Sequence, residues 1–286
     1  MPVIFLILLE KLKIIKIIVN GIIFNVFATG RSGYMIETDK IYCENCLDTM
    51  NRMPDNFIDL TVTSPPYDNL RTYKGYSFDF EKVAREIYRI TKEGGVVVWV
   101  VGDATVKGSE TGTSFKQVLY FKECGFNLHD TMIWNKGGFS AVGALKVRYA
   151  PVFEYMFVLT KRKLKTFNPI KDRSNKCAGK NVSGTIRQSD GSMTPMSKVM
   201  IINEYGQRFN IWEQSPQRQR GKNKHPAPFP EQLANDHIIS WSNEGDLVYD
   251  PFMGSGTAAK MAKLNNRNYI GSEISEEYCK IASARI

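Results

Sequence analysis

Leu247-Val248-Tyr249-Asp250-Pro251-Phe252-Met253-Gly254-Ser255-Gly256-Thr257 decides the fold class. Leu247-Val248-Tyr249 reads as a buried strand that stops at Asp250. The chain then turns through Gly254 and Gly256, and a helical pattern runs from Thr257 to Leu264. Asn268–Gly271 is the next strand and leads to Glu273, 23 residues after Asp250. Glycines let backbone approach a ligand closely, and a helix N-terminus offers free N–H groups. Ligands of open α/β sheets bind at the carboxyl edge of the strands, where a carboxylate at this distance can accept hydrogen bonds from ribose hydroxyls. The pattern is GxG rather than GxGxxG, so alone it fits a plain βα turn as well as a nucleotide site.

The same alternation extends through the chain. Ile58–Thr63 reads as a strand ending in a Pro-Pro loop, and Phe80–Ile90 has apolar residues at amphipathic helical spacing. Gly94-Gly95 is expected to break the pattern before Val96–Val101, a continuous apolar run suited to a strand buried on both faces. A helix near Phe115–Cys124 and strands at Leu128–Trp134 and Phe153–Leu159 follow. Together these predict an α/β, Rossmann-like fold with a mainly parallel, doubly wound sheet.

The chain has 286 residues and 43% apolar content, enough for one sizeable domain or a domain with a large insertion. At 23% charged residues, the composition is that of an ordinary globular protein and argues against global disorder. The net charge of +9 and pI of about 9.2 point toward an anionic partner. That charge is not spread evenly. Thr160–Lys224 holds 15 Lys and Arg against 4 Asp and Glu, so the remaining residues carry a net −2. A localised excess suits a phosphate-binding surface, although a flexible loop of solvated charges has the same composition.

Residues 1–34 differ from the rest. Their apolar runs are broken by Glu10, Lys11, Lys13 and Lys16, then by Asn20, Gly21 and Asn25. None approaches the ~20 residues of a spanning helix, and the lysines follow the apolar run where a secretory signal would place them before it. The segment is expected to lie outside the fold, with Met35 as the true start; an amphipathic surface helix is the alternative. The five cysteines include one close pair, Cys43 and Cys46, with no second pair to complete a zinc site. Reduced thiols in a cytoplasmic protein fit this usage.

The remaining chemistry lies in Thr63-Ser64-Pro65-Pro66-Tyr67. The strand delivers Ser64 and the Pro65 carbonyl to the carboxyl edge, and two prolines hold a short polar tip and an aromatic ring in one geometry. An amine on a base ring is a poor nucleophile because its lone pair is delocalised. Acceptors that take its hydrogens localise the pair and stabilise developing positive charge. Ser64 and the Pro65 carbonyl are such acceptors, and Tyr67 suits stacking on a base flipped from a duplex. Alone, the motif also fits a proline-rich turn.

Together the two motifs resemble the amino-group DNA methyltransferases, from about Met35 to Ile286. The resemblance implies S-adenosylmethionine as cofactor and double-stranded DNA as substrate. It implies that Asp250, Phe252, Gly254, Ser255, Gly256 and Thr257 line the cofactor, that Glu273 holds its ribose, and that Ser64, Pro65, Pro66 and Tyr67 are catalytic. His225-Pro226-Ala227-Pro228-Phe229-Pro230 resembles the element that precedes the cofactor motif, which places His225 and Pro226 near the methionine end. The catalytic motif comes first and the basic segment lies between, as in the permuted class called beta. That order implies a catalytic half at 35–159, an inserted target-recognition region at 160–224 and a cofactor half at 225–286. In this class the strand Lys40-Ile41-Tyr42 precedes a residue that meets the adenine amine; Asn45 stands where Asp is more usual. Lys161, Arg162, Lys171 and Arg173, with Arg187, Arg218 and Arg220, become the expected DNA contacts.

Cytosine ring-carbon methylation is excluded, because no cysteine here follows a proline to serve as its thiolate. Ser before Pro-Pro resembles the cytosine-N4 enzymes, whereas Asp or Asn is more usual for adenine-N6, so cytosine N4 is expected and adenine N6 is the alternative. A DNA-binding protein with an inactive methyltransferase fold is a second class of reading, opposed by the intact motifs. A cognate restriction endonuclease, in a restriction-modification system, is an expected partner. Asp103 is expected either to position cofactor or base or to cap the next turn. Trp134-Asn135-Lys136 and Arg148-Tyr149 are expected to border the DNA cleft, and Trp212 to anchor the core locally.

Overall fold

Every residue from Val96 to Val101 is buried, which requires a strand covered on both faces. In the computed structural model that strand lies within an eight-stranded sheet. The described residues are 36–66, 78–138, 146–196, 199–216 and 230–286, with the backbone of Ile4–Leu9, Ile14–Val19 and Ile22–Phe27. Numbered along the chain, the strands of the central sheet are β1 Lys40–Cys43, β2 Ile58–Thr63, β3 Thr91–Val101 and β4 Asn127–Asn135. They continue as β5 Phe153–Thr160, β6 Ile211–Glu213, β7 Leu247–Asp250 and β8 Asn268–Glu273. Their spatial order is β6-β4-β5-β3-β2-β7-β8-β1. From β3 to β1 every pairing is parallel, and β5 runs antiparallel to both of its neighbours.

Alternation along β3 divides the core. Val97, Trp99 and Val101 share one apolar layer with residues of three helices, α1 Cys46–Arg52, α2 Phe80–Ile90 and α3 Thr113–Glu123. Val96, Val98 and Val100 share the other with α4 Glu231–Trp241 and α5 Thr257–Leu264, and Ala282 of α6 Glu276–Arg285 joins it. Full burial of each such side chain stabilises by about 1.5–3 kcal/mol, so the two-faced β3 ties both layers together. This is the doubly wound, mainly parallel arrangement expected from the alternation.

Gly94-Gly95 does not break the chain. Both glycines lie inside β3, where the register against β2 shifts between Ile58 and Leu60. Gly94 has φ +81°, and a Cβ there would sit 2.7 Å from that of Lys165; one on Gly95 would sit 2.9 Å from the Asp59 carbonyl oxygen. The pair makes a close-packed bulge, which only glycine fits.

In the N-terminal segment Ile14–Val19 pairs antiparallel with both Ile4–Leu9 and Ile22–Phe27, and the latter pairs with Ile36–Glu37. Strands take the place of the alternative amphipathic helix, as its isoleucine-rich composition favours. No helix among the described residues is long and apolar enough to cross a membrane.

The chain divides into two compact units, Met1–Asn168 with Ile211–Ile286, and Pro169–Asn210. The second is narrower than the expected insertion at 160–224. Thr160 ends β5, Asn168 donates its N–H to the Ser240 carbonyl at 2.8 Å, and Ile211–Glu213 is β6 of the main sheet.

Candidate active site

Because β1, β8, β7, β2 and β3 are parallel neighbours, the loops after them leave the same edge of the sheet. That edge carries Asp250 and Glu273 at the ends of β7 and β8, and Asn45, Ser64 and Asp103 in the loops after β1, β2 and β3.

Adjacent β2 and β7 bring the two sequence motifs together. The buried Thr63 hydroxyl donates to Asp250 Oδ1 at 2.6 Å, across 187 residues of chain. The Phe252 N–H donates to the same oxygen at 3.0 Å. Burial pushes the Asp250 carboxyl up to about 7, against the two donors that favour its charged form. One carboxyl group thus joins the last residue of β2 to the turn that follows β7. Ser64 comes next, half-buried, then buried Pro65 and half-buried Pro66.

The glycine turn is held from three sides. Glu273 Oε2 accepts the Gly254 N–H at 2.8 Å, and Oε1 accepts the Ser275 N–H at 2.8 Å. Burial raises the Glu273 carboxyl above its usual range despite these donors. The Met253 N–H donates to the Ser272 carbonyl at 2.9 Å, and a Cβ on Gly271 would overlap the Met253 side chain. Arg285 Nη1 donates to the carbonyl and hydroxyl oxygens of buried Ser255, at 2.5 and 2.6 Å. Its Nη2 reaches Glu231 Oε1 at 2.8 Å, which also accepts from Lys260 Nζ at 2.7 Å.

Gly254 and Gly256 have φ of +52° and +83°, and a Cβ on Gly256 would lie 2.8 Å from that of Ala282. Gly256 caps α5, whose first residue is the buried Thr257. Phe252 lies edge-on to Phe78 at 5.2 Å and Trp99 at 6.2 Å between centroids, which anchors the turn to the α1–α3 side of the core. Left-handed glycines, a helix N-terminus and a carboxylate at the end of the next strand suit a nucleoside-bearing cofactor.

Several of the expected residues have structural partners. Asn45 Oδ1 accepts the Leu47 N–H at 2.9 Å as the N-cap of α1, so its carbonyl serves the helix. Asp103 takes the capping role, one of the two expected of it: Oδ1 accepts the Ser114 N–H at 2.9 Å and Oδ2 accepts the Ser114 hydroxyl, at the start of α3. Lys161 is not an exposed DNA contact. It is 8% exposed, and Nζ donates to Asn56 Oδ1 at 2.9 Å and to the carbonyls of Tyr88 and Thr91 at 2.7 and 2.8 Å. Its charge meets the carbonyls at the C-terminal end of α2 and is not presented to phosphate. Arg162 is exposed at a left-handed turn. Lys171 and Arg187 are exposed in the Pro169–Asn210 unit, and Arg173 is half-buried with Nε on the Gln207 carbonyl at 3.0 Å. Tyr67, His225, Pro226, Arg218 and Arg220 lie outside the described residues.

Trp212 is buried and stacks on His237 at 4.5 Å, the local anchor expected of it. Trp134 is also buried, with Nε1 on the Gln214 carbonyl at 2.7 Å, while Lys136 pairs with Glu154 at 2.5 Å. Tyr149 is almost wholly exposed, and Arg148 Nη2 donates to the Gly108 carbonyl at 2.7 Å. Cys46 is buried, which pushes its thiol up to about 12, so half of the CxxC pair is inert at neutral pH. Thr63, Glu231 and Arg285 were missed by motif reading. Arg285 lies in the last turn of a helix that a Ser275 cap predicts, but nothing local shows which carbonyl it reaches.

Comparison with known proteins agrees with this geometry. A family model described as DNA methylase matches residues 58–284. The orphan methyltransferase M.BamHII of Bacillus amyloliquefaciens is 59% identical over 239 residues, covering 81% of this chain and 89% of that protein. The type II methyltransferase M.HpaI of Haemophilus parainfluenzae is 29% identical over 263 residues, covering 86% and 74%. Among solved structures, the cytosine-N4-specific PvuII DNA methyltransferase aligns with a TM-score of 0.64 at 19% identity, over 86% of each chain. The M1.HpyAVI–SAM complex aligns at 0.59 and 22% identity, over 86% of this chain and 99% of that one. At these identities the two structures speak for the fold.

Proposed function

This chain belongs to the DNA methylase family, and from that premise we propose that it transfers a methyl group from S-adenosylmethionine to the exocyclic N4 amine of cytosine in double-stranded DNA. The observation that carries the reading is the Thr63–Asp250 hydrogen bond, which ties the SPPY strand to the glycine turn. The cofactor supplies an activated methyl group, and its sulfonium departs as a neutral thioether.

The turn Asp250–Gly256 and the Glu273 carboxylate hold the donor, with Glu273 accepting from ribose hydroxyls. Ser64 Oγ and the Pro65 carbonyl accept the two hydrogens of the target amine. They localise its lone pair toward the methyl group and stabilise the positive charge that develops on nitrogen until one of those hydrogens leaves as a proton to solvent. Tyr67 stacks on the flipped base, and Pro66 keeps the loop from relaxing. Because the leaving group is neutral, positioning and electrostatics suffice, and no covalent enzyme intermediate is required. Ser64 at the first position of the motif supports cytosine over adenine. The basic Pro169–Asn210 unit supports a role in holding DNA, and no partner nuclease is required for the reaction.

The test is incubation of the full chain with labelled S-adenosylmethionine and mixed-sequence DNA, followed by nucleoside analysis. Label in N4-methylcytosine is expected. Label in N6-methyladenine would reassign the base, and DNA without label would overturn the activity.

A further inference from the structure

Pro169–Asn210 folds as one long antiparallel ribbon. Arg173 and Ser174 pair with Gly206 and Tyr205, Asn181 and Val182 with Ile201 and Met200, and Thr185–Arg187 with Pro195–Met193. Between these ladders the Gly179 N–H donates to the Ile202 carbonyl at 2.9 Å, and the Met196 N–H to that of Gly184 at 2.8 Å. The ribbon closes at its tip, where the Gln188 N–H donates to the Ser192 carbonyl at 2.7 Å.

A two-stranded ribbon alone is marginal in water, because neither face has a layer to bury against. Here every residue from 176 to 195 is exposed, including Ile186 and Met193, at 50% and 58%. The unit carries 7 Lys and Arg against 3 Asp and Glu. Charge complementarity therefore selects a polyanion as the missing cover. Cross-strand partners share a face, so Arg187 lies beside Met193 on one side and Ile186 beside Thr194 on the other. Gln188 Nε2 reaches Thr194 Oγ1 at 2.5 Å on that second side. Guanidinium and amide groups are the side chains that read guanine and adenine edges, and apolar neighbours meet thymine methyl groups. A two-stranded ribbon with strands about 4.8 Å apart fits a major groove about 12 Å wide.

We propose that this ribbon enters the major groove of duplex DNA tip first, with Arg187 and Gln188 reading purine edges. The inference rests on the chain acting as a DNA methyltransferase and adds the groove, the element and the reading residues. It is tested with the full chain on duplexes that carry its methylation sequence, identified from methylated mixed DNA. In one duplex the non-target purines are 7-deazapurines, which lose the major-groove N7 acceptor but keep base pairing. In another, non-target guanines are replaced by inosine, which lacks the minor-groove amine.

The expected kcat/KM falls roughly tenfold or more on the 7-deazapurine duplex and less than about twofold on the inosine duplex. An R187A/Q188A variant should methylate unmodified and 7-deazapurine duplexes at equal rates while keeping its affinity for S-adenosylmethionine. A larger loss with inosine, or a variant that still discriminates against 7-deazapurines, overturns the proposal. So does loss of a dimer in the variant by sedimentation, which would make a second copy the ribbon's partner. If wild-type protein methylates no duplex, the underlying methyltransferase reading falls, a failure separable from the others.

Discussion

Replacing Thr63 with valine removes one hydroxyl and almost no volume, so it isolates the bond that joins the two motifs. Among the described residues Asp250 then keeps one donor, the Phe252 N–H, for its buried carboxyl group. A hydrogen bond to a charged group contributes about 1.5–3 kcal/mol, and one between neutral groups about 0.5–1.5. With its carboxyl pushed up to about 7, Asp250 is mainly charged at pH 8.5 and mainly protonated at pH 5.5. Thr63→Val should therefore cost about 2 kcal/mol at pH 8.5 and about 1 kcal/mol at pH 5.5, read by urea denaturation at each pH. Thr63→Ser keeps the hydroxyl and should show a pH-independent loss. Calorimetric titration should show S-adenosylmethionine binding roughly tenfold more weakly to the valine variant, because the Phe252–Gly256 turn loses its anchor to β2. Equal destabilisation by valine at both pH values would refute the reasoning, since it would mean the hydroxyl does not sense the charge on Asp250.

Lys161→Met leaves the Tyr88 and Thr91 carbonyls without their donor and should cost about 2–4 kcal/mol in urea denaturation. Its salt dependence of DNA binding should match wild type, whereas a phosphate ligand would lower the slope by about one. Gly256→Ala forces a left-handed conformation costing about 1–2 kcal/mol and pushes on Ala282, so thermal unfolding should fall by several degrees and cofactor binding should weaken by equilibrium dialysis. In the cofactor-free protein, the raised Asp250 carboxyl contributes stability that is complete below pH 4 and lost as pH rises through about 7, by up to about 4 kcal/mol. Raised Glu273 adds a loss of the same sign. Urea midpoints of wild type and Asp250→Asn across pH 5 to 8 check this, and the variant should show the smaller decline.

The strands and helices that carry both motifs were legible because burial imposes local periodicity on them. Val96–Val101 could be only a two-faced strand, and Leu247–Thr257 only a strand, turn and helix start. What local pattern does not contain is adjacency. Nothing near Thr63 or Asp250 shows that β7 lies beside β2. Charge counting placed Lys161 among DNA ligands because composition records a charge and not where its side chain ends. Asn45 stands before the helix Cys46–Arg52, which is a capping signal legible in the sequence. Gly94-Gly95 read as a break because a bulge and a turn use the same residues. The ribbon at 173–206 escaped notice because both of its faces are exposed, so no apolar alternation marks its strands.

The position of β7 has a consequence for synthesis. It inserts between β2 and β8, yet it is made 187 residues after the Thr63 it bonds. At roughly 5–20 residues per second, a nascent chain on the ribosome waits roughly 10–40 seconds for the strand that pairs with β2. Throughout that interval β2 offers an open hydrogen-bonding edge beside Leu60 and Val62, both fully buried in the finished protein. The placement that joins the two motifs thus leaves the growing chain with one edge of β2 unpaired for most of its synthesis.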